Sequence, residues 1–193
     1  MTKDNKLNHS SNGGPEMSTD ATDVQDIWVS WNGYNRLIED LALKIHQSDW
    51  AFDQIICLAR GGMRVGDVLS RLYKVPLAIL SASSYRENAG RVQGQLDIAQ
   101  YISMAYGSPS GRVLLVDDMV DTGMTFGRVR DHLRQSYPAI TELRTGVIWW
   151  KAHSVVEPDY HAQYLENNPW IHQPFEIYDD MGPEALPLDP SAL

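Results

Sequence analysis

The stretch Val113-Leu114-Leu115-Val116-Asp117-Asp118-Met119-Val120-Asp121-Thr122-Gly123-Met124-Thr125 decides the fold of this chain. Its first four residues are apolar, which predicts a short strand buried on both faces of a parallel sheet. The strand is expected to end at Val116, and the two carboxylates that follow it begin a polar loop. Helical spacing then runs from Thr125 to Gln135. A buried strand, a loop and a helix in this order indicate an α/β fold.

The same alternation extends to both sides of this stretch. Further strands are predicted at 52–59, 75–81, 95–105 and 143–150, with helices over 31–45 and 65–72. Alternating strands and helices imply a parallel sheet covered on both faces. A polar segment over 83–94 is expected to be a mobile, functional loop.

Composition limits the domain count and the class of protein. The polar residues 1–25 predict a disordered leader, and 26–193 are expected to form a single domain. A formal charge of -9 argues against nucleic-acid binding, which needs a basic face. No run approaches the ~20 apolar residues of a membrane span, so we expect a cytoplasmic protein without a membrane partner. The single cysteine, Cys57, lies in an apolar run and is expected to be a buried structural thiol.

Ligands of open parallel sheets bind beyond the carboxyl ends of the strands, so the residues after Val116 are the first candidates for a site. Asp117 and Asp118 repel each other, which suggests that they meet ligand hydroxyls or a metal carried in with a phosphate. The following turn offers hydroxyls and backbone N–H groups to an anion at a helix N-terminus, through Thr122, Gly123, Met124 and Thr125. The alternative is a turn in which Asp121 or Thr122 caps the helix, but capping does not explain Asp117 and Asp118.

Two other predicted strands end in candidate residues. Arg60-Gly61-Gly62 follows the strand at 52–59 and could hold a second phosphate; the alternative is an ordinary glycine turn with a solvated arginine. Lys151 follows the strand at 143–150, where a lone lysine is usually solvated. His132, His153, His161 and His172 have no metal-binding spacing and are interpreted as surface or core residues.

Taken together, these motifs resemble the type I phosphoribosyltransferases, whose signature is a hydrophobic strand, two acids, two residues, then Asp-Thr-Gly and Thr. The similarity is closest to the hypoxanthine, guanine and xanthine enzymes, especially the bacterial xanthine-guanine kind. Leu58–Gly62 resembles the family's pyrophosphate loop, and Ser83-Ser84-Tyr85 resembles the start of its mobile catalytic loop. Trp170–Glu176 resembles its C-terminal hood, expected to lie mainly within 151–180.

The resemblance implies a parallel twisted sheet flanked by helices and a transfer of the phosphoribosyl group from phosphoribosyl pyrophosphate to a 6-oxopurine. By the same resemblance, Asp117 and Asp118 would hold the ribose hydroxyls and the shell of a magnesium ion, and Arg60 and Gly61 would grip pyrophosphate. The 5-phosphate would lie in the turn from Asp121 to Thr125. The family commonly forms dimers or tetramers.

The resemblance also implies how the base is held and the reaction catalysed. Asp121 would exchange a proton with the purine N7, and Ser84 and Tyr85 would close over the site. Lys151 would donate to the purine O6, and Trp170 would stack on the ring. Backbone groups near Ile171 could read the 2-position.

Other classes compete with this interpretation. The Asp-x-Asp spacing of haloacid dehalogenase-like phosphatases is absent, because Met119 follows Asp118, and neither GxxxxGK[ST] nor GxGxxG occurs. The remaining rival is a non-catalytic sensor of phosphoribosyl pyrophosphate with the same fold, since a fold does not fix function.

Overall fold

The computed structural model of the protein describes residues 25–84 and 96–186. Within them, a six-stranded sheet has the order β4-β3-β2-β5-β6-β7. β4 is antiparallel to β3, and all other neighbours in this sheet are parallel. The strands are β2 (Gln54–Ala59), β3 (Leu77–Ser84), β4 (Leu96–Ile98), β5 (Gly111–Val120), β6 (Ile140–Lys151) and β7 (Tyr160–Leu165).

Helices cover the sheet on both faces, as the alternating pattern predicted. They are α1 (Trp31–Gln47), α2 (Met63–Tyr73) and α3 (Met124–Ser136). α1 and α2 pack into one hydrophobic cluster with residues such as Leu114, whereas α3 packs into a second cluster with its neighbour Leu115. Successive side chains of the central strand β5 therefore pack into hydrophobic clusters on opposite faces of the sheet. Cys57 is fully buried in the first cluster, as predicted, and burial raises the pKa of its thiol to about 11.

The first helix shows how the sequence specifies a local element. Ser30 accepts a hydrogen bond at Oγ from the N–H of Gly33 at 3.1 Å, which caps the helix N-terminus. The face predicted from helical spacing is the buried one, and it carries Tyr34, Ile38, Leu41, Ala42 and Ile45. At the other end, Ser48 donates to the carbonyl of Ile45.

Two predicted strand boundaries are wrong. The strand expected over 95–105 is reduced to β4, followed by an isolated bridge between Ser103 and Ile79. Its imperfect alternation left only a few residues able to pair at this edge of the sheet. Conversely, β5 does not end at Val116: Asp117, Met119 and Val120 still pair with β6, so both acids belong to the strand.

A small second sheet includes part of the segment predicted to form the hood, and that name is kept below for residues 170–180. β1 (Ile27–Trp28) runs parallel to β8 (Ile171–His172), and two 3-10 turns follow at Glu176–Tyr178 and Pro183–Ala185. The segment expected to form the hood also contains β7, which pairs with β6 at the edge of the main sheet. The predicted leader, except for residue 25, lies outside the described residues. No helix in the described ranges is long and apolar enough to span a membrane.

Candidate active site

The two acids of β5 form a part-buried, hydrogen-bonded pair. Asp117 accepts at Oδ1 from the N–H of Asp118 at 2.9 Å, and Asp118 accepts at Oδ1 from the N–H of Met119 at 2.7 Å. Burial and the neighbouring Asp118 raise the pKa of Asp117 well above its ordinary value. Burial also raises the pKa of Asp118, against hydrogen bonds led by that from Gln173. A cation or hydroxyl donor placed here would relieve this unfavourable pairing.

Gly61 and Gly62 bring the loop after β2 directly against these acids. A Cβ atom on Gly61 would lie 2.6 Å from Oδ1 of Asp118, and one on Gly62 would lie 2.5 Å from the carbonyl oxygen of Val116. The peptide between Ala59 and Arg60 is cis. The close approach explains why two glycines follow Arg60, so an ordinary glycine turn is not a sufficient account of this motif.

A cleft of about 720 Å³ opens beside this contact. Gly61 lines it from the loop, Asp118 from β5, and Gln173 and Glu176 from the hood. Arg60 also lines the cleft, and its Nη2 lies 3.2 Å from Oδ1 of Asp179. The predicted pyrophosphate loop and the hood therefore form two walls of the same cleft.

The predicted phosphate turn begins α3 without a side-chain cap. The N-cap residue is Gly123, with φ of 82°, which is a conformation that favours glycine. The carboxylate of Asp121 contacts Lys151 and His153, and Oγ1 of Thr122 accepts a long hydrogen bond, 3.4 Å, from the N–H of Met124. Met124 is half exposed, and Thr125 lies in the first turn of α3. Asp121 therefore does not cap this helix, whereas Thr122 accepts from one of its first N–H groups, and the turn begins a 13-residue helix.

Asp121 lies in the turn between β5 and α3, and its carboxylate contacts residues at and just after the end of β6. Its Oδ1 lies 3.2 Å from Nζ of Lys151 and 3.1 Å from Nε2 of His153. Lys151 is only 7% exposed, so the solvated lysine that is usual at such a position is not found here. The structure brings together Asp121 and Lys151, which the resemblance placed at the purine.

The residues predicted to hold the base from the hood lie on β8 and beside it. Trp170 is half exposed, with its ring centroid 6.5 Å from that of His172, and Ile171 is buried. The carbonyl of Trp170 accepts from the N–H of Ile27 at 2.8 Å, which ties the hood to β1. Of the predicted closing loop, the backbone of Ser84 ends β3, whereas Tyr85 lies outside the described residues.

The donor set fits a magnesium ion that arrives with its substrate. Asp117 and Asp118 supply carboxylate oxygens, and no group of three or more His, Cys, Asp or Glu side chains that could hold a metal occurs within 25–84 and 96–186. Magnesium is commonly bound through one or two carboxylates, with substrate phosphates and water as its other ligands. An ion held by the protein alone would need more ligands than this pair offers.

Sequence reasoning did not single out several polar residues of the site, among them Gln173, Asp179 and His153. Gln173 and Asp179 line the cleft, and His153 contacts Asp121. Two positions in the sequence could have pointed to the site: Gln173 lies inside the segment that resembles the hood, and His153 stands two residues after Lys151. Neither position says where the side chain points, which depends on the tertiary fold.

The chain belongs to the phosphoribosyl transferase domain family, whose model matches residues 30–180. The sheet, its covering helices and the site at the carboxyl ends of its strands have the type I phosphoribosyltransferase fold.

Solved structures of purine phosphoribosyltransferases resemble this chain. A purine phosphoribosyltransferase from Pyrococcus horikoshii is 27% identical, with a TM-score of 0.65 over 78% of this chain and 93% of that one. The xanthine-guanine-hypoxanthine enzyme of Helicobacter pylori is 21% identical, with a TM-score of 0.63 over 76% and 91% of the two chains. A mutant hypoxanthine enzyme from Trypanosoma cruzi, complexed with the product IMP, is 21% identical, with a TM-score of 0.54 over 75% and 79%.

Proposed function

We propose that this protein transfers the phosphoribosyl group of phosphoribosyl pyrophosphate to a 6-oxopurine, giving a nucleoside 5'-monophosphate and pyrophosphate in purine salvage. The observation that carries the proposal is the pairing of Asp121 with the buried Lys151 at the edge that also presents the acid pair and the phosphate turn. A proton acceptor, a fixed cation and two anion-binding loops are the groups this reaction requires.

In the proposed reaction, the purine N9 bonds to C1 of the ribose while the bond from C1 to pyrophosphate breaks. The electron pair of that bond leaves with pyrophosphate, and Asp121 accepts the proton lost from N7 of the base. Arg60 and the N–H of Gly61 would bind the departing pyrophosphate. The turn from Thr122 to Thr125 would hold the 5-phosphate, as expected of backbone N–H groups at a helix N-terminus.

Lys151 would select the base through its charge. Its ammonium group has only donors, so it pairs with the O6 acceptor of hypoxanthine, guanine or xanthine and is mismatched to the amino group of adenine. A site built around one buried polar contact discriminates strongly, because the wrong base leaves that group without a partner. Trp170 is proposed to stack on the ring, and backbone groups at Ile171 to meet the 2-position.

Asp117 and Asp118 are proposed to hold the ribose hydroxyls and, through water or those hydroxyls, magnesium. When bound, magnesium would neutralise charge on the leaving pyrophosphate. Closure of the segment that includes Ser84 and Tyr85 would exclude water from the activated sugar. Following the family, we propose a homodimer or homotetramer.

The test supplies the full chain with phosphoribosyl pyrophosphate, magnesium and each common nucleobase, and measures nucleotide and pyrophosphate. We expect turnover with at least one 6-oxopurine. Binding of phosphoribosyl pyrophosphate without turnover on any base would instead identify the non-catalytic sensor.

The Asp121→Asn variant tests the role of the acceptor. It should lower kcat by roughly 10²- to 10⁴-fold, the usual contribution of a general base, and leave the Kd for phosphoribosyl pyrophosphate nearly unchanged. Asp131→Asn, an exposed site on α3, is the matched control. Equal losses of turnover and of binding would remove the proton-transfer role of Asp121.

A further inference from the structure

His153 makes the second contact to the proposed proton acceptor. Its Nε2 lies 3.1 Å from Oδ1 of Asp121, the oxygen that Lys151 also approaches. Both contacts use Oδ1, so neither occupies Oδ2. The two nitrogens lie close to one carboxylate oxygen, which restricts the position of the Asp121 side chain and leaves Oδ2 without a contact from either nitrogen.

The backbone holds His153 in this place. The N–H of Ser154 donates to the carbonyl of Lys151 at 3.0 Å, which closes the turn that carries the imidazole. The N–H of Val155 then donates to the carbonyl of Thr122 at 3.0 Å, which ties the segment to the phosphate turn. A Cβ on Gly123 would lie 2.6 Å from Oγ of Ser154, so the two segments are in close contact. A backbone hydrogen bond therefore joins the segment that carries the imidazole to the turn that carries the carboxylate, and this holds the two groups close together.

We propose that His153 is a positioning residue that orients Asp121 for proton transfer to and from the purine. The inference rests on the proposed function, in which Lys151 donates to the purine O6. When the ammonium group engages the base, Asp121 loses a partner, and His153 remains as the donor that holds Oδ1. Oδ2 then keeps its direction toward N7 throughout the reaction.

A positioning residue should affect turnover more than binding. A misplacement of about 1 Å at a reacting group can cost about 10²-fold, so we expect His153→Ala to lower kcat by about 10- to 100-fold. The KM for phosphoribosyl pyrophosphate should change by less than about threefold, because its anion-binding loops are intact. His153→Gln retains a side-chain N–H donor and should recover part of the lost turnover. His46→Ala, an exposed histidine on α1, is the matched control and should resemble the wild type.

The choice of base separates positioning from direct recognition. If His153 only orients Asp121, His153→Ala should lower kcat/KM for 6-oxopurines and 6-aminopurines by the same factor. A changed ratio would show that His153 reads the base and would overturn the proposal. Unchanged kcat in His153→Ala, or no recovery in His153→Gln, would overturn it as well.

An NMR measurement tests the contact without relying on turnover. Long-range ¹H–¹⁵N spectra of the full chain should show an Nε2 resonance of His153 that shifts in Asp121→Asn and stays in place in Asp131→Asn. An unchanged Nε2 resonance in folded Asp121→Asn would overturn the proposal. This test holds even if His153→Ala fails to fold. A wild-type protein with no turnover on any base would overturn the proposed function together with this inference. Wild-type turnover that His153→Ala does not reduce would overturn this inference alone.

Discussion

The side-chain amide of Gln173 donates a 2.6 Å hydrogen bond to Oδ2 of Asp118. Gln173 belongs to the hood and Asp118 to the central strand β5, so this bond joins the two parts of the site across 55 residues of sequence. Gln173 is 6% exposed as a residue and also lines the cleft. The position of the hood over the acids is thus fixed partly by a direct polar contact.

Removing this amide should cost stability. Gln173→Ala leaves Asp118 without its strongest side-chain donor, and the loss of a partner from a part-buried acceptor costs about 1–3 kcal/mol. We expect the free energy of unfolding in urea to fall by that amount. Gln47→Ala, at the exposed end of α1, should change it by less than about 0.5 kcal/mol. Equal stability of the two variants would mean that the hydrogen bond contributes nothing net.

Gly62 should resist any side chain, for reasons of space. Its φ of -72° suits every residue, but a Cβ would lie 2.5 Å from the carbonyl oxygen of Val116 and 2.9 Å from that of Leu58. Both obstacles are backbone atoms, so Gly62→Ala must move the loop away from the acids. We expect a loss of about 1–3 kcal/mol in unfolding free energy, as for other overpacked sites, and weaker binding of pyrophosphate by calorimetry.

The control for this substitution is Gly127→Ala in α3. Among the residues that the structure describes, a Cβ there meets only Cγ2 of Val156, at the ordinary contact distance of 3.4 Å. Since alanine is the better helix former, this variant should be up to about 1 kcal/mol more stable than the wild type. A Gly62→Ala protein as stable as the wild type would show that the loop has room to shift.

Much of this fold could be predicted from hydrophobic periodicity, because the central helices and strands bury their apolar residues in regular patterns. The stripe beginning at Tyr34 predicted α1, and the run from Val113 to Val116 predicted a strand buried on both faces. The edge strand β4 was harder to predict. Residues 95–105 carry no clean alternation, and the pairing of β4 with β3 depends on tertiary contacts that a local pattern does not encode.

For the site, sequence order identified the loops but not the contacts between them. Asp121 and Lys151 were both expected at strand ends, and the parallel pairing of β5 with β6 brings those ends together. The contacts of His153 and Gln173 depend on the direction of a turn and on the hood. Those directions follow from backbone hydrogen bonds, such as the one from Val155 to Thr122. No sequence motif predicts such a bond.

Lys151 should control the choice of base. Lys151→Gln removes the charge but keeps an amide that both donates and accepts, so the preference for 6-oxopurines over adenine should fall by at least about tenfold in kcat/KM. Steady-state kinetics with hypoxanthine, guanine, xanthine and adenine measure this ratio. Lys74→Gln, an exposed lysine beyond α2, should leave it unchanged. An unaltered ratio in Lys151→Gln would show that Lys151 does not read O6.

Asp179 should compete with pyrophosphate for Arg60. The two side chains are 3.2 Å apart and are 86% and 56% exposed for Arg60 and Asp179, so their ion pair contributes little to stability. Asp179→Asn should therefore change the free energy of unfolding by less than about 0.5 kcal/mol. It should tighten pyrophosphate binding several-fold, because the anion no longer displaces a carboxylate from the guanidinium group.

Calorimetry of Asp179→Asn at two salt concentrations checks this competition, since screening should shrink the gain at high salt. Asp180→Asn removes the same charge one residue away, at a position that does not line the cleft, and should give a smaller gain. Equal gains in the two variants would point to a long-range effect of net charge. No gain in Asp179→Asn would mean that pyrophosphate does not use Arg60, and the assignment of the loop after β2 would then rest on its backbone alone.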